Sequence, residues 1–288
     1  MGWAKYQEDI VSIGVQNNHS RLMRTMRKQR SASETYIGAD RSHEGKLLAS
    51  AEQSGCTPVV APEEKRMNKL KEFVMSSARP LPVIVLADVS GSMKANGKID
   101  SMNQAVAEMI STFAEEDDTR AEIYVCVITF GGHGARIHKP LKPASEVTWE
   151  DMAASGHTPM GVAFSIAQGL IENREMVPAR AYRPTIVLVS DGIPTDDWQT
   201  PLASLLASER ASKAIRFAMG IGIGDDADGE TLKEFVGADT GRLFEAHDAR
   251  EIRKFFRWVT MSVTTRSRSN NPNSVVAVEP SDFDDLDF

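Results

Sequence analysis

Oxygen-bearing side chains follow the first strongly apolar run of the sequence, in the stretch DVSGS at residues 88–92. Asp88 is followed by Ser90 and Ser92, and Gly91 between the serines permits a tight turn that lets both hydroxyls converge on an ion bound by Asp88. A carboxylate with two hydroxyls is an all-oxygen donor set of the kind that hard cations bind. Taken alone, the stretch fits a capped strand-to-helix turn equally well.

The same stretch continues as GSMKANGK, which has some features of a phosphate-binding loop. Such a loop has two glycines separated by four residues, then Lys and a Ser or Thr whose hydroxyl reaches the magnesium ion. Here Gly91 and Gly97 are separated by five residues, and Ile99 occupies the position of the hydroxyl. The extra residue and the missing hydroxyl argue against nucleotide binding.

Two later segments supply further oxygen ligands. Thr158 follows the loop ASGH, and Asp191 ends the apolar run PTIVLVSD. In a doubly wound sheet, loops at the C-terminal ends of the strands form the ligand site, so three loops of this chain are expected to meet there. Two carboxylates and three hydroxyls suit Mg²⁺ or Mn²⁺, with Ca²⁺ as the next choice. We therefore predict a metal site made by Asp88, Ser90, Ser92, Thr158 and Asp191.

An enzymatic use of these residues is an alternative. Asp88 could act as a phosphoaspartyl nucleophile in a metal-dependent phosphohydrolase. The residue two positions later is Ser90, where that chemistry needs a second acid. Because no charged general base or strong nucleophile accompanies the predicted ligands, the sequence favours a site that is not catalytic.

Strands and helices alternate between Leu81 and Thr264. Short, continuously apolar runs are typical of strands buried on both faces, and amphipathic segments follow them. Thr158 and Pro159 are predicted to open one helix as its cap and first residue, and Pro201 to interrupt the next. The pattern predicts a doubly wound, mostly parallel α/β sheet with helices on both faces. The predicted strands are 81–88, 121–130, 184–191, 214–224 and 241–246, and the predicted helices are 101–116, 158–175, 198–211, 228–237 and 248–264.

The two ends of the chain differ in composition from this α/β region. Residues 1–60 are polar, have no sustained apolar period and are predicted to form a loosely ordered extension. Residues 61–79 place apolar side chains at helical spacing after Pro62 and are predicted to form a lead-in helix. The α/β domain is predicted to span 80–264, followed by a polar linker and an acidic tail at 265–288.

The site motif resembles a known one. Asp-x-Ser-x-Ser after the first buried strand, a Thr in a Gly-Thr-Pro-like loop, and the Asp that begins SDGIPTD together resemble the metal-ion-dependent adhesion site of von Willebrand factor A domains. The resemblance covers about residues 80–264 and fills all five motif positions. It implies a protein-interaction module in which a partner's carboxylate completes the metal shell. His157 stands where many relatives have Gly, and could restrict the approach to the metal.

A finer resemblance concerns the biological setting. The segments DGIPTDDW, GIGIGDDADGETLKEF and FFRWVTMSV are similar to the TerY branch of this family, bacterial proteins of tellurite-resistance and stress operons. This similarity implies a scaffold in a stress or phage-defence system, with an operon-encoded kinase and phosphatase as partners. Another role found in the family is that of a subunit of an AAA+ ATPase complex, and the sequence leaves that role open.

Composition and charge restrict the remaining classes. No apolar run approaches the roughly 18 residues that span a bilayer. Residues 1–79 carry 13 basic and 9 acidic side chains, a balance of +4, so the net charge of −7 leaves −11 for the rest of the chain. This distribution argues against a nucleic-acid-binding core. The absence of a secretory signal and the two distant cysteines, Cys56 and Cys126, predict a cytoplasmic protein.

The last ten residues interleave acids with large apolar side chains. The pattern is weakly similar to the acidic, aromatic-ended tips with which bacterial single-strand-DNA-binding proteins recruit partners. Such a tail also supplies the carboxylates that an open metal position binds. The linker spans roughly 23 Å on average, which is less than a typical domain diameter. The metal site of a neighbouring molecule is therefore easier for the tail to reach than the site of its own chain, and self-association is predicted. The tail residues concerned are Asp282, Asp284, Asp285, Asp287 and Phe288.

Overall fold

Six strands and five α-helices make up the part of the chain that the structure describes. The computed structural model describes residues 78–116, 120–222, 229–237 and 241–274. The strands are β1 (Arg79–Asp88), β2 (Ala121–Gly131), β3 (Gly134–Pro143), β4 (Thr185–Ser190), β5 (Ile215–Ile221) and β6 (Arg242–Ala246). The helices are α1 (Lys98–Ala114), α2 (Met160–Glu172), α3 (Gln199–Ala207), α4 (Glu230–Val236) and α5 (Ala249–Arg268). Short 3₁₀ turns lie at Gly91–Gly97, Ala144–Glu146 and Ala211–Lys213.

The strands form one sheet in the order β3-β2-β1-β4-β5-β6. β3 is antiparallel to β2, and all the other neighbours are parallel, so the predicted mostly parallel α/β fold is confirmed. β1 lies between β2 and β4, which places the topological switch point at the C-terminal end of β1. Ala87 pairs with Val189, so the next residues along the two strands, Asp88 and Ser190, lie side by side.

Both faces of the sheet are covered, as the apolar strands require. On β1, Val83 and Val85 point into a core that includes the apolar faces of α1 and α5. Ile84 and Leu86 point to the opposite side, where the core includes residues of α2, α3 and α4. Because a residue and its neighbour in a strand face opposite ways, a strand buried on both sides is apolar throughout.

The edge strand β3 has no counterpart in the sequence-based prediction. Its residues GARIHKPLKP are mostly partly or fully exposed, and Pro140 and Pro143 interrupt the pattern expected of a strand. An edge strand tolerates proline because the outer row of backbone N–H groups needs no partner in the sheet. The predicted interruption of α3 is wrong: Pro201 lies in the first turn of that helix, where the missing N–H breaks no helical hydrogen bond.

Helix α5 extends to Arg268, beyond the boundary predicted at Thr264. Arg266 is 2% exposed, and its guanidinium donates to the hydroxyl of Thr185 at 2.6 Å and to the carbonyls of Arg183 and Pro272 at 3.0 and 2.9 Å. Burial lowers the pKa of Arg266 to about 10. A polar residue in the sequence therefore anchors the end of this helix to the foot of β4.

The aromatic residues of α5 belong to the core, as their helical spacing indicates. Phe255, Phe256 and Trp258 are all at most 3% exposed. No helix among the described residues is both long and apolar enough to cross a membrane. The predicted N-terminal extension and the acidic tail lie outside the described residues, as does nearly all of the predicted lead-in helix.

Candidate metal centre

Asp88 ends β1 at the switch point, and its side chain is completely buried. Its Oδ1 accepts the backbone N–H of Ser90 at 2.7 Å, and its Oδ2 accepts the hydroxyl of Ser190 at 2.6 Å. Burial raises the pKa of Asp88 from 3.8 to about 6; hydrogen bonds from Ser190 and Ser90 oppose this rise, and the charge of Asp191 adds to it. A bound cation would stabilise the ionised form of such a carboxylate.

Hydrogen bonds join the first loop to the loop that follows β4. The hydroxyls of Ser90 and Ser92 lie 2.9 Å apart, and the Ser92 hydroxyl donates to Asp191 Oδ1 at 2.6 Å. The other oxygen of Asp191 accepts the ammonium of Lys98 at 2.8 Å. Four of the five predicted ligands are thus linked in one network, although 99 positions separate Ser92 from Asp191.

Thr158, the fifth predicted ligand, lies against the same network. Its backbone N–H donates to the Thr195 hydroxyl at 3.1 Å, and its carbonyl accepts the N–H of Thr195 at 2.9 Å. Its own hydroxyl lies 3.6 Å from the place where a Cβ on Gly192 would be, next to Asp191. Thr158 as a whole is 6% exposed. A threonine hydroxyl facing the residue next to Asp191 is of a suitable type for a metal ligand.

The loop that contains Thr158 is held against the first loop by close backbone contacts. Gly91 donates its N–H to the Gly156 carbonyl at 3.0 Å. Gly156 has a φ of +68°, and a Cβ there would lie 2.5 Å from the Cα of Gly132. Glycine at this position therefore satisfies both the left-handed backbone and the close approach that brings the loops together.

Thr158 does not cap α2, so the sequence-based prediction of its capping role is wrong. The helix begins at Met160, with Pro159 as the preceding residue and no side-chain cap at that position. Instead the carboxylate of Asp196 accepts the N–H groups of Gly161 and Val162, each at 3.0 Å. Asp196 belongs to the loop after β4, so it ties that loop to the start of α2 and leaves the Thr158 hydroxyl available.

We expect replacement of Asp196 by Ala to lower the free energy of unfolding by about 1 kcal/mol, the usual effect of losing a helix cap. Urea unfolding in the absence of metal measures the loss. Asp196→Asn retains one acceptor oxygen and should lose about half as much on the same physical basis. Equal stability of all three proteins would show that this contact does not hold the loop.

By type, the five residues suit a divalent cation. They comprise two carboxylates and three hydroxyls on three loops, all at the C-terminal edge of the sheet. Among the described residues, no three His, Cys, Asp or Glu side chains gather into a metal-binding group. Mg²⁺ and Mn²⁺ accept such oxygen ligands and retain water at the remaining positions.

The structure adds functional residues that the sequence pattern did not reveal. Ser190 donates to Asp88, Lys98 pairs with Asp191, and Asp196 ties the loop after β4 to the start of α2. Ser190 precedes a predicted ligand and Lys98 begins the first helix, whereas Asp196 has no such signal in the sequence. His157 is exposed beside this edge, with its backbone N–H donating to the Gly132 carbonyl at 3.3 Å.

Part of the chain is similar to a known family, and its fold is similar to solved structures. Residues 83–193 match the von Willebrand factor type A domain, and all five predicted ligands lie within that range. No curated protein matches the chain. Pilus adhesin SpaC from Lactobacillus rhamnosus GG is 13% identical with a TM-score of 0.54, over 66% of this chain and 31% of SpaC.

Two further solved structures have folds less similar to this chain, as their lower TM-scores indicate. A von Willebrand factor type A protein from Catenulispora acidiphila is 20% identical over 65% of this chain and 42% of its own, with a TM-score of 0.48. Proximal thread matrix protein 1 from the mussel byssus, solved with zinc in its MIDAS motif, is 15% identical over 64% of this chain and 48% of its own, with a TM-score of 0.45. The chain spans less than half the length of each of these three structures. Residues 83–193 are therefore similar to a von Willebrand factor type A domain, and the chain shares its fold with SpaC.

Proposed function

We propose that this domain is a metal-dependent protein-interaction module. Asp88, Ser90, Ser92, Thr158 and Asp191 would hold Mg²⁺ or Mn²⁺, and a carboxylate of a partner protein would complete the metal shell. The observation that carries the proposal is the hydrogen-bonded path from Asp88 through Ser90 and Ser92 to Asp191, which brings ligands from two loops together while Thr158 approaches from a third.

The charges of these residues favour an acidic partner. Two carboxylates balance a dication, whereas hydroxyl ligands add no charge and leave positions that water or an outside ligand can take. A bound dication would supply the electrostatic attraction for the partner's carboxylate. A cavity of about 340 Å³ lies where β2 meets β3, and its lining includes Val89, which follows Asp88 in the sequence, together with Ser155, His133 and Arg136.

The position of Asp88 argues against its use as a nucleophile. The side chain is completely buried, and both of its oxygens already accept hydrogen bonds, from Ser90 and Ser190. A phosphoryl group would need an accessible oxygen and an acid nearby to protonate the leaving group. We therefore propose a binding role without turnover, and metal-dependent release of phosphate from model esters would reverse this choice.

For the biological setting, we propose a cytoplasmic scaffold in a bacterial stress or phage-defence system. This proposal rests on the similarity of three sequence segments to TerY proteins, and it names an operon-encoded kinase and phosphatase as the first partners to test. The competing assignment is a subunit of an AAA+ ATPase complex. Co-purification of a ring ATPase would favour that assignment, and co-purification of the kinase or phosphatase would favour the scaffold.

Affinity capture from the native host tests the interaction module. Proteins retained by the wild-type chain in Mg²⁺ should be lost when EDTA is added, because the bridging cation is removed. They should also be lost with an Asp88→Ala bait in Mg²⁺, whereas Asp100→Ala, which removes an exposed carboxylate on α1, should retain them. Capture that persists with EDTA and with Asp88→Ala would contradict the proposal.

The acidic tail leads to a separate prediction, metal-dependent self-association. Residues 279–288 carry the carboxylates that an open metal position binds. We expect the apparent mass of the full chain, measured by light scattering in Mg²⁺, to fall on adding EDTA and to fall equally when residues 279–288 are deleted. A mass unchanged by either treatment would remove this prediction and leave the capture of other proteins unaffected.

A further inference from the structure

We propose that Lys98 is the built-in counter-ion of the metal-free site and competes with the metal for Asp191. This inference rests on the proposed metal site and adds a residue that the five-ligand motif does not contain. Its basis is one contact: Lys98 Nζ lies 2.8 Å from Asp191 Oδ2. The Lys98 side chain is 18% exposed and that of Asp191 is 0% exposed, so the pair is largely shielded from water.

The position of Lys98 in its helix indicates that the contact is specific. Lys98 is the first residue of α1, and the helix N-terminus carries the positive end of the helix dipole. A lysine is disfavoured there unless a carboxylate compensates for it, and Asp191 supplies that carboxylate from another loop. Gly97, with a φ of +68°, turns the chain from the 3₁₀ segment into the helix and places Lys98 beside the site.

Both oxygens of Asp191 are engaged by groups of the chain itself. One oxygen of Asp191 accepts the Ser92 hydroxyl, and the other accepts the Lys98 ammonium. If Asp88 and Asp191 are both ionised, Lys98 reduces the charge of the site from −2 to −1. A dication that binds Asp191 meets this ammonium as a like charge and has to weaken or replace the ion pair. Lys98 therefore stabilises the metal-free protein and lowers its affinity for metal, which are two aspects of one competition.

The chain provides a matched control. Lys94 lies four positions earlier, in the 3₁₀ turn, and its side chain is exposed. Lys94→Met removes the same charge from the same loop without breaking a contact to Asp191. Lys98→Met removes the ammonium and keeps an unbranched side chain, and Lys98→Arg keeps the charge. Differences between the two Met variants therefore report the ion pair, beyond any general change in charge.

Mn²⁺ binding, followed by calorimetry and by the paramagnetic signal of free Mn²⁺, is the main measurement. We expect Lys98→Met to bind Mn²⁺ about tenfold more tightly than the wild-type chain, which is about 1.4 kcal/mol. Lys94→Met and Lys98→Arg should stay within about twofold of the wild-type affinity, because the exposed charge of Lys94 is screened by solvent and salt and arginine replaces the ammonium. In EDTA, Lys98→Met should melt at a lower temperature than Lys94→Met, because Asp191 then has no cation.

The inference is supported if Lys98→Met is less stable than the wild-type chain in the absence of metal and also binds metal more tightly. Unchanged or weaker Mn²⁺ binding by Lys98→Met, with normal binding by the wild-type chain, would overturn the role of Lys98 alone. A wild-type chain that binds no Mn²⁺ would overturn the proposed metal site and this inference with it. If Lys98→Met fails to fold, Lys98→Gln decides in its place by the same comparison with Lys94→Gln.

Discussion

Replacing Asp88 by Asn should abolish the stabilisation of the protein by Mg²⁺. For the wild-type chain, a metal concentration of 100 times the dissociation constant should raise the free energy of unfolding by about 2.7 kcal/mol. Asn keeps the size of the side chain but removes a buried carboxylate, the ligand at the end of β1. Loss of one carboxylate ligand should weaken metal binding at least about a hundredfold, about 2.7 kcal/mol, so the same Mg²⁺ concentration should produce almost no shift.

The metal-free variant distinguishes loss of a ligand from loss of the fold. Burial raises the pKa of Asp88 to about 6, so the ionised carboxylate is a destabilising group at pH 7.5 in the absence of metal. Asp88→Asn should therefore be at least as stable as the wild-type chain in EDTA. Asp100→Asn, an exposed change of the same charge, should keep the full response to Mg²⁺. A variant at Asp88 that still gains stability from Mg²⁺ would contradict the assignment of this residue.

The contribution of Asp88 to the stability of the metal-free protein should fall as the pH rises from about 4 to about 6. The folded-state pKa of Asp88, about 6, exceeds its ordinary value of 3.8, so the folded protein holds a proton that the unfolded chain has released in this interval. Stability decreases wherever the folded state binds more protons, and the total effect of this shift is about 3 kcal/mol. Above pH 6 both states are ionised, and this contribution becomes constant.

Metal binding should show the opposite dependence on pH. A cation binds the ionised carboxylate. As the pH increases towards 6, the affinity for Mg²⁺ should therefore increase by up to about tenfold per pH unit, and above pH 6 it should become constant. The difference in stability between the wild-type chain and Asp88→Asn, measured by urea unfolding at several pH values in EDTA, isolates this group from all others. A difference that does not change between pH 4 and pH 7 would show that Asp88 titrates normally.

The sheet could be predicted from the sequence because its central strands leave little ambiguity. The runs that became β1 and β4 are apolar without interruption, and burial on both faces is the structural reason. β3 could not be predicted in this way, because an edge strand is half exposed and tolerates prolines. The end of α5 was also missed, since the polar residue Arg266 occupies a buried position through three hydrogen bonds.

The site was predictable in part, for a related reason. Ligand type and order follow from the motif, and parallel strands bring successive loops to one edge. The roles of Ser190, Lys98 and Asp196 depend on which loops touch, and only the three-dimensional register determines that. Thr158 shows most clearly what the sequence alone does not predict. A threonine before Pro159 is a typical helix cap in sequence, yet the carboxylate of Asp196 takes that position from another loop.

The most direct test of the central claim is to locate the ion. A crystal of the wild-type protein grown with Mn²⁺ should show an anomalous scattering peak at the C-terminal edge of the sheet, within ligand distance of oxygens from Asp88, Ser90, Ser92, Thr158 and Asp191, directly or through water. Under the same conditions, a crystal of Asp88→Asn should lack that peak. Absence of a peak between these three loops in the wild-type crystal, or a peak at some other position alone, would contradict the account.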